Sequence, residues 1–217
     1  MKKMKKVLAL TGCAVLLVAS SVMGTLAYLT SQSTVNNTFT VGNVSIDLKE
    51  TPVDKYGSKE TGAIKNAEEN DYLLIPGKEY TKDPTVTVEA NSEKCWLFIE
   101  VNNGIEDFEA DEAGNDTIEE QITNVNGWTS LDGVDNVYYK QVNKDTNKQT
   151  FDVFSTFKIH GYANILANED KWNAITEENP ELVTVSAYAI QYESFSEVGS
   201  AWTALQQQIE DVKNYKN

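Results

Sequence analysis

Few residues in this chain can do covalent or metal chemistry. Its 217 residues include one histidine, His160, and two cysteines, Cys13 and Cys95, against 33 acidic residues, and arginine is absent. Zinc hydrolysis takes about three protein ligands with N, S or O donors and leaves a position open for water. No H-E-x-x-H pair occurs, and His160 in "FKIHGY" sits at the end of an alternating run, where a hydrogen-bonded structural histidine is the expectation. Cys95 lies in the apolar run "CWLFIEV" beside Trp96, which suits an inert buried thiol rather than a nucleophile. There is no G-x-S-x-G elbow, Walker loop or dinucleotide glycine pattern, so no cofactor is expected. Carboxylate pairs abound among so many acids, but a glycosidase is defined by a separation in space that sequence spacing does not give.

One acidic segment has metal-loop spacing. "EADEAGNDTIEE", Glu109 to Glu120, places acids at loop positions 1, 3 and 12 and Gly114 at position 6, as a helix-loop-helix calcium site would. Position 5 is Ala113, position 1 is Glu rather than Asp, and the flanks do not read as paired helices. A solvated acidic loop is therefore expected, with no calcium affinity tighter than about millimolar.

Charge and targeting bound the rest. Lys2, Lys3, Lys5 and Lys6 precede an apolar run from Val7 to Ala19, and small residues lead to Thr25-Leu26-Ala27, the small/any/small form that a signal peptidase accepts. Residues 1–27 read as a signal peptide cut after Ala27, so that the secreted chain starts at Tyr28. A retained anchor competes with this reading, since the apolar region is nearly long enough to span a bilayer. A lipobox-like Leu10-Thr11-Gly12-Cys13 also competes, but it would leave a short apolar region and waste the run after it. Beyond residue 27, 14 lysines face 33 acids, a balance of −19. Such a chain lacks the cation clusters that nucleic acid or an anionic membrane surface requires, so neither is expected as a partner after cleavage. Cys95 is then the single thiol, and the domain must be held by burial rather than a disulfide.

The elements that would position these residues are mostly strands. From Phe39 to Leu48 the apolar residues switch parity across Gly42-Asn43, which requires a bulge or turn there. Cys95 to Val101 reads as a strand buried on one face and largely on the other. Val137–Val142 and the alternating run Phe151 to Ile159, separated by the polar "NKDTNK", suggest a hairpin. Leu182 to Tyr192 is a further long strand, and Thr85 to Glu89 and Gln121 to Trp128 are shorter candidates. Asn168 to Ile175 reads as a short helix. Trp202, Leu205, Ile209 and Val212 mark an amphipathic helix capped by Ser200, with its apolar stripe docked on the sheets. The charged, unpatterned segment around 54–71 reads as a long mobile loop. Residues 28–217 are thus expected to form one domain, a mostly-β antiparallel β-sandwich with a few short helices.

The stretch Gly24 to Glu50, followed by "LIPGKEYTKDPTVTVEANSEKCWLFIEV", resembles the TasA and camelysin family of Gram-positive secreted proteins, which carry a SipW-dependent type of signal peptide. The shared features are the cleavage region, the strand "TFTVGNVSIDL" and the Pro76-Gly77 turn followed by two strands. The resemblance covers about the first 75 residues after the cut, and "TVSAYAIQYESFSEVGSAWTAL" looks like the close of clostridial relatives. It implies a jelly-roll-like fold, a dedicated signal peptidase, and assembly into extracellular or biofilm-matrix fibres with copies of itself or related matrix subunits. It also implies a rival, since camelysin relatives are labelled metallopeptidases; a soluble adhesion or ligand-binding module is the third reading. The fibre reading assigns an assembly strand to the uncharged segment "YLTSQSTVNNTFTV", anchored by Tyr28, Leu29, Val35, Phe39 and Val41. Such a strand could instead complete its own sheet.

Overall fold

A computed structural model describes residues 30–41, 43–59, 61–112, 114, 116–161, 165–166, 170–172 and 183–215. It is mostly β. Strands β1 (Thr30–Val41), β3 (Glu69–Leu73), β6 (Cys95–Asn103), β7 (Thr129–Ser130), β8 (Val137–Val142) and β11 (Val183–Gln191) form a six-stranded sheet in the order β3-β1-β11-β6-β8-β7. Facing it are a three-stranded sheet, β2 (Ile46–Lys49), β5 (Thr85–Val88) and β9 (Gln149–Asp152), and a pair, β4 (Glu79–Thr81) with β10 (Thr156–Lys158). The order β3-β1-β11-β6-β8-β7 does not spell out the eight-stranded double Greek key of a jelly roll; it supports a two-layer sandwich.

Alternation places the core. On β6, Cys95, Leu97, Ile99 and Val101 point between the layers and meet Ile46, Leu48, Val86 and Val88 from the smaller sheet. Trp96 and Phe98 point the other way and are covered by the C-terminal helix, Val198–Tyr215, through Trp202 and Leu205. The ring centroids of Phe98 and Trp202 lie 5.3 Å apart, and those of Tyr188 and Trp202 lie 5.6 Å apart. The helix therefore docks as its apolar stripe requires. It begins at Val198, so Ser200 lies inside the first turn rather than at the cap.

Several expectations are corrected. The parity switch near Gly42 is a change of sheet: β1 ends at Val41 and β2 begins at Ile46 in the opposite layer, while Gly42 itself lies outside the described residues. The hairpin across Asn143–Lys148 does not form, because β8 pairs with β6 while β9 pairs with β5, so the connection crosses between layers. The run Phe151 to Ile159 breaks between β9 and β10, where the Gln121 side chain accepts from Ser155 N at 3.0 Å and donates to Thr156 O at 2.8 Å. Gln121 to Trp128 is no strand. Thr117 and Glu120 form a reciprocal capping box that starts a helical turn, continued as a π-turn over Gln121–Val125. Of the expected helix Asn168 to Ile175, the described residues 170–172 are helical, and Trp172 packs edge-on against Phe108 at 5.2 Å.

The segment 54–71 carries more order than an unpatterned loop would. The Asp54 carboxylate accepts from Tyr56 N and Ser58 N, both at 2.9 Å, closing a turn in which Gly57 has φ +72°. A Cβ on Gly57 would come within 2.9 Å of the Tyr80 backbone, so this turn packs directly on β4. Val53 bridges Lys59, Glu50 bridges Ala67, and β3 starts at Glu69.

Candidate functional site

Of the residues assigned to signal cleavage and assembly, Thr25, Ala27, Tyr28 and Leu29 lie outside the described residues. Val35, Phe39 and Val41 fall in β1, which makes two different ladders. Its first part runs antiparallel to β3, from Thr30 opposite Leu73 to Thr34 opposite Glu69. Its second part runs parallel to β11, from Val35 opposite Val185 to Val41 opposite Ile190, with a register irregularity between Asn36 and Thr38. This is the one parallel pairing among the described strands. In this chain β1 thus completes its own sheet, and it is the sole described ladder partner of β3.

Beside that strand lies a buried polar cluster that the sequence reading did not anticipate. Glu50 follows β2, Asn70 is on β3, and Lys82 follows β4; their residues are 0 %, 6 % and 1 % exposed. One carboxylate joins them. Lys82 Nζ donates to Glu50 Oε2 at 3.0 Å, and Asn70 Nδ2 donates to Glu50 Oε1 at 2.6 Å. The Asn70 amide is held at both ends by backbone: Nδ2 also donates to Thr51 O at 3.0 Å, and Oδ1 accepts from Val53 N at 3.0 Å. These backbone partners fix which end of the amide is oxygen. An aromatic group borders the cluster. Lys82 Nζ lies 5.9 Å from the centre of the Tyr72 ring, which packs on Tyr80 and Phe157.

Strand alternation explains the placement. Asn70 and Tyr72 share the inward face of β3 and Leu74, just past its end, continues the alternation, with Asp71 turned to solvent. Burial pushes the Glu50 carboxyl up and the Lys82 ammonium down, in each case against their mutual attraction across 3.0 Å. Next to it, Asp83 accepts from Thr51 N at 2.7 Å, Thr51 Oγ1 at 2.8 Å and Lys59 Nζ at 2.8 Å. Burial pushes the Asp83 carboxyl up, but Lys59, Thr51 and Lys65 together hold it below its ordinary range.

The other candidates are engaged structurally. Burial pushes the Cys95 thiol up to about 12. The backbone N–H of His160, not its imidazole, donates to Phe108 O at 2.8 Å, where the chain leaves β10. In the acidic segment, Glu109 is buried and accepts from Ile118 N at 3.0 Å and Asn103 Nδ2 at 2.8 Å. Glu120 is taken up by the capping box, and Asp111 accepts from Gly114 N at 2.7 Å. Among the described residues no group of three or more His, Cys, Asp or Glu side chains is arranged to hold a metal ion, and no helix is long and apolar enough to cross a membrane.

The sequence carried no motif for Glu50, Asn70 and Lys82, which are far apart in the chain. The alternation of Asn70, Tyr72 and Leu74 was the available signal, and it was hidden by the charged residues before it. Compared with protein-family models, curated proteins and solved structures, the chain matches none.

Proposed function

We propose that this chain is a secreted structural subunit rather than an enzyme, and that it assembles head to tail through β1. The observation that carries the reading is the double ladder of β1. From Thr30 to Val41 the strand has no charged residue, and it lies N-terminal to every other described strand. It can therefore leave and re-enter the sheet without unthreading any of them. Withdrawing it would strip the backbone donors and acceptors of both β3 and β11, edges that demand a replacement strand. A copy of β1 from a second subunit offers the same register and the same side chains, so the exchange costs little beyond association. Each subunit would then donate one strand and accept another. That contact does not close on itself, and its product is a fibre.

Truncation tests this directly. Protein starting at Tyr28 should form fibres at high concentration, whereas a variant lacking Tyr28 to Asn37 should accept a strand but donate none. Added at low ratio, the truncated variant should shorten the fibres seen by electron microscopy. It should also bind a synthetic peptide of residues 28–37, measured by fluorescence anisotropy. Truncated protein that polymerises as readily as the full-length form, or that ignores the peptide, would overturn strand donation.

A further inference from the structure

We propose that Lys82 and Asn70 become joined by an intramolecular isopeptide bond, with Glu50 as the proton carrier. The proposal concerns the chain alone and stands whether or not β1 is exchanged between subunits.

The geometry supplies each role that the reaction needs. Lys82 Nζ and Asn70 Nδ2 bond to opposite oxygens of the same carboxyl, at 3.0 and 2.6 Å. The nucleophile and the leaving nitrogen thus share one acid-base group. Asn70 Oδ1 accepts from Val53 N at 3.0 Å, a fixed donor aimed at the oxygen on which charge develops. Asn70 on β3 and the residues that follow β2 and β4 are held in a site closed to solvent, so one carboxyl gathers amine and amide beside each other and water is kept out. An amine must be uncharged to attack. Burial acts in that sense on both members of the pair, lowering Lys82 and raising Glu50, so it eases transfer of an Nζ proton to the carboxyl that Nζ touches.

The step balances without an oxidant or co-reactant. Lys82 Nζ attacks Asn70 Cγ, the new C–N bond forms, and the carbonyl electron pair moves to Oδ1 against Val53 N–H. Glu50 gives its proton to Nδ2 from one oxygen and takes a proton from Nζ at the other. The Cγ–Nδ2 bond then breaks as Oδ1 re-forms the carbonyl, and ammonia leaves. The products are a secondary amide between the two side chains, one ammonia, and Glu50 in its starting state.

The bond would tie β3 to the residue that follows β4. Since β3 takes the start of β1, the cross-link would anchor that strand across the layers of the sandwich.

Mass spectrometry of the purified protein decides the matter. The folded wild-type chain should be lighter than its sequence by one ammonia, about 17 Da. Its protease digest should contain a branched peptide joining Asn70 to Lys82. A cyclic imide at Asn70 would give the same mass loss, so Lys82→Met discriminates: it should restore the full mass if the bond is to Lys82. Glu50→Gln should also restore full mass, and Asn70→Asp should link with loss of water, about 18 Da. Wild-type protein that is folded by circular dichroism and still carries its full mass after prolonged incubation would overturn the proposal. So would a mass loss that survives Lys82→Met.

Discussion

Glu109 illustrates how burial changes what a single carboxylate does. By spacing it was the first position of a calcium loop; in the fold it caps a helical turn from within, and burial lifts its carboxyl to about 7 despite the donors Ile118 N and Asn103. Its folded value thus lies above the ordinary 4.5, and the folded state binds the extra proton. Glu109 therefore favours folding fully below about 4.5 and loses that contribution as pH rises through about 7. The loss should be on the order of 3 kcal/mol. Urea midpoints between pH 4.5 and 8 should fall less steeply in Glu109→Gln than in wild type; equal slopes would show that this carboxyl is not perturbed. For the same structural reasons calorimetry should find no calcium affinity tighter than about millimolar, and Tm should hardly move with added calcium. Micromolar binding abolished by Glu120→Gln would contradict that. The spacing of Glu109, Gly114 and Glu120 was legible, but not its use, because Thr117 and Glu120 spell a capping box just as well. Nor was the Glu50, Asn70 and Lys82 cluster legible, since its residues meet only when three strands pack.

At the scale of elements, the strands with uninterrupted alternation were the readable ones. β5 and β11 fall within a residue of their sequence expectation at each end and β6 runs two residues past it, because a side-chain period of two survives whatever the partner is. Partner choice is another matter. Val137–Val142 and the run after Lys148 look like two arms of a hairpin, yet periodicity says nothing of which layer each arm joins, and here they join different ones. The C-terminal helix was readable in its role, though it starts at Val198 rather than after a cap at Ser200, since Trp202 and Leu205 have a stripe of Trp96, Phe98, Tyr188 and Ile190 to cover. Trp202 is 4 % exposed, so Trp202→Ala should cost about 3–5 kcal/mol in urea unfolding. A cost below about 1 kcal/mol would mean that the helix is held elsewhere or contributes little to the fold.

At the scale of the whole molecule, β1 is the strand that links β3 to the rest of the large sheet. The large sheet is joined through β1: remove it, and β3 is left with no described ladder while β11 loses one edge. The resemblance read from "TFTVGNVSIDL" pointed to a strand that pairs, but could not say with what; the parallel register on β11 now makes that question concrete. Since Thr38 lies opposite Ala187, each can be replaced by cysteine to report which chain donates the strand. Mixing Thr38→Cys and Ala187→Cys proteins, both starting at Tyr28, at fibre-forming concentration under mild oxidation should yield a disulfide between the two variants, identified by its mass. If instead fibres form and no such disulfide appears, while the double variant Thr38→Cys/Ala187→Cys closes its disulfide within one chain and still polymerises, β1 stays in its own sheet and the assembly account is wrong.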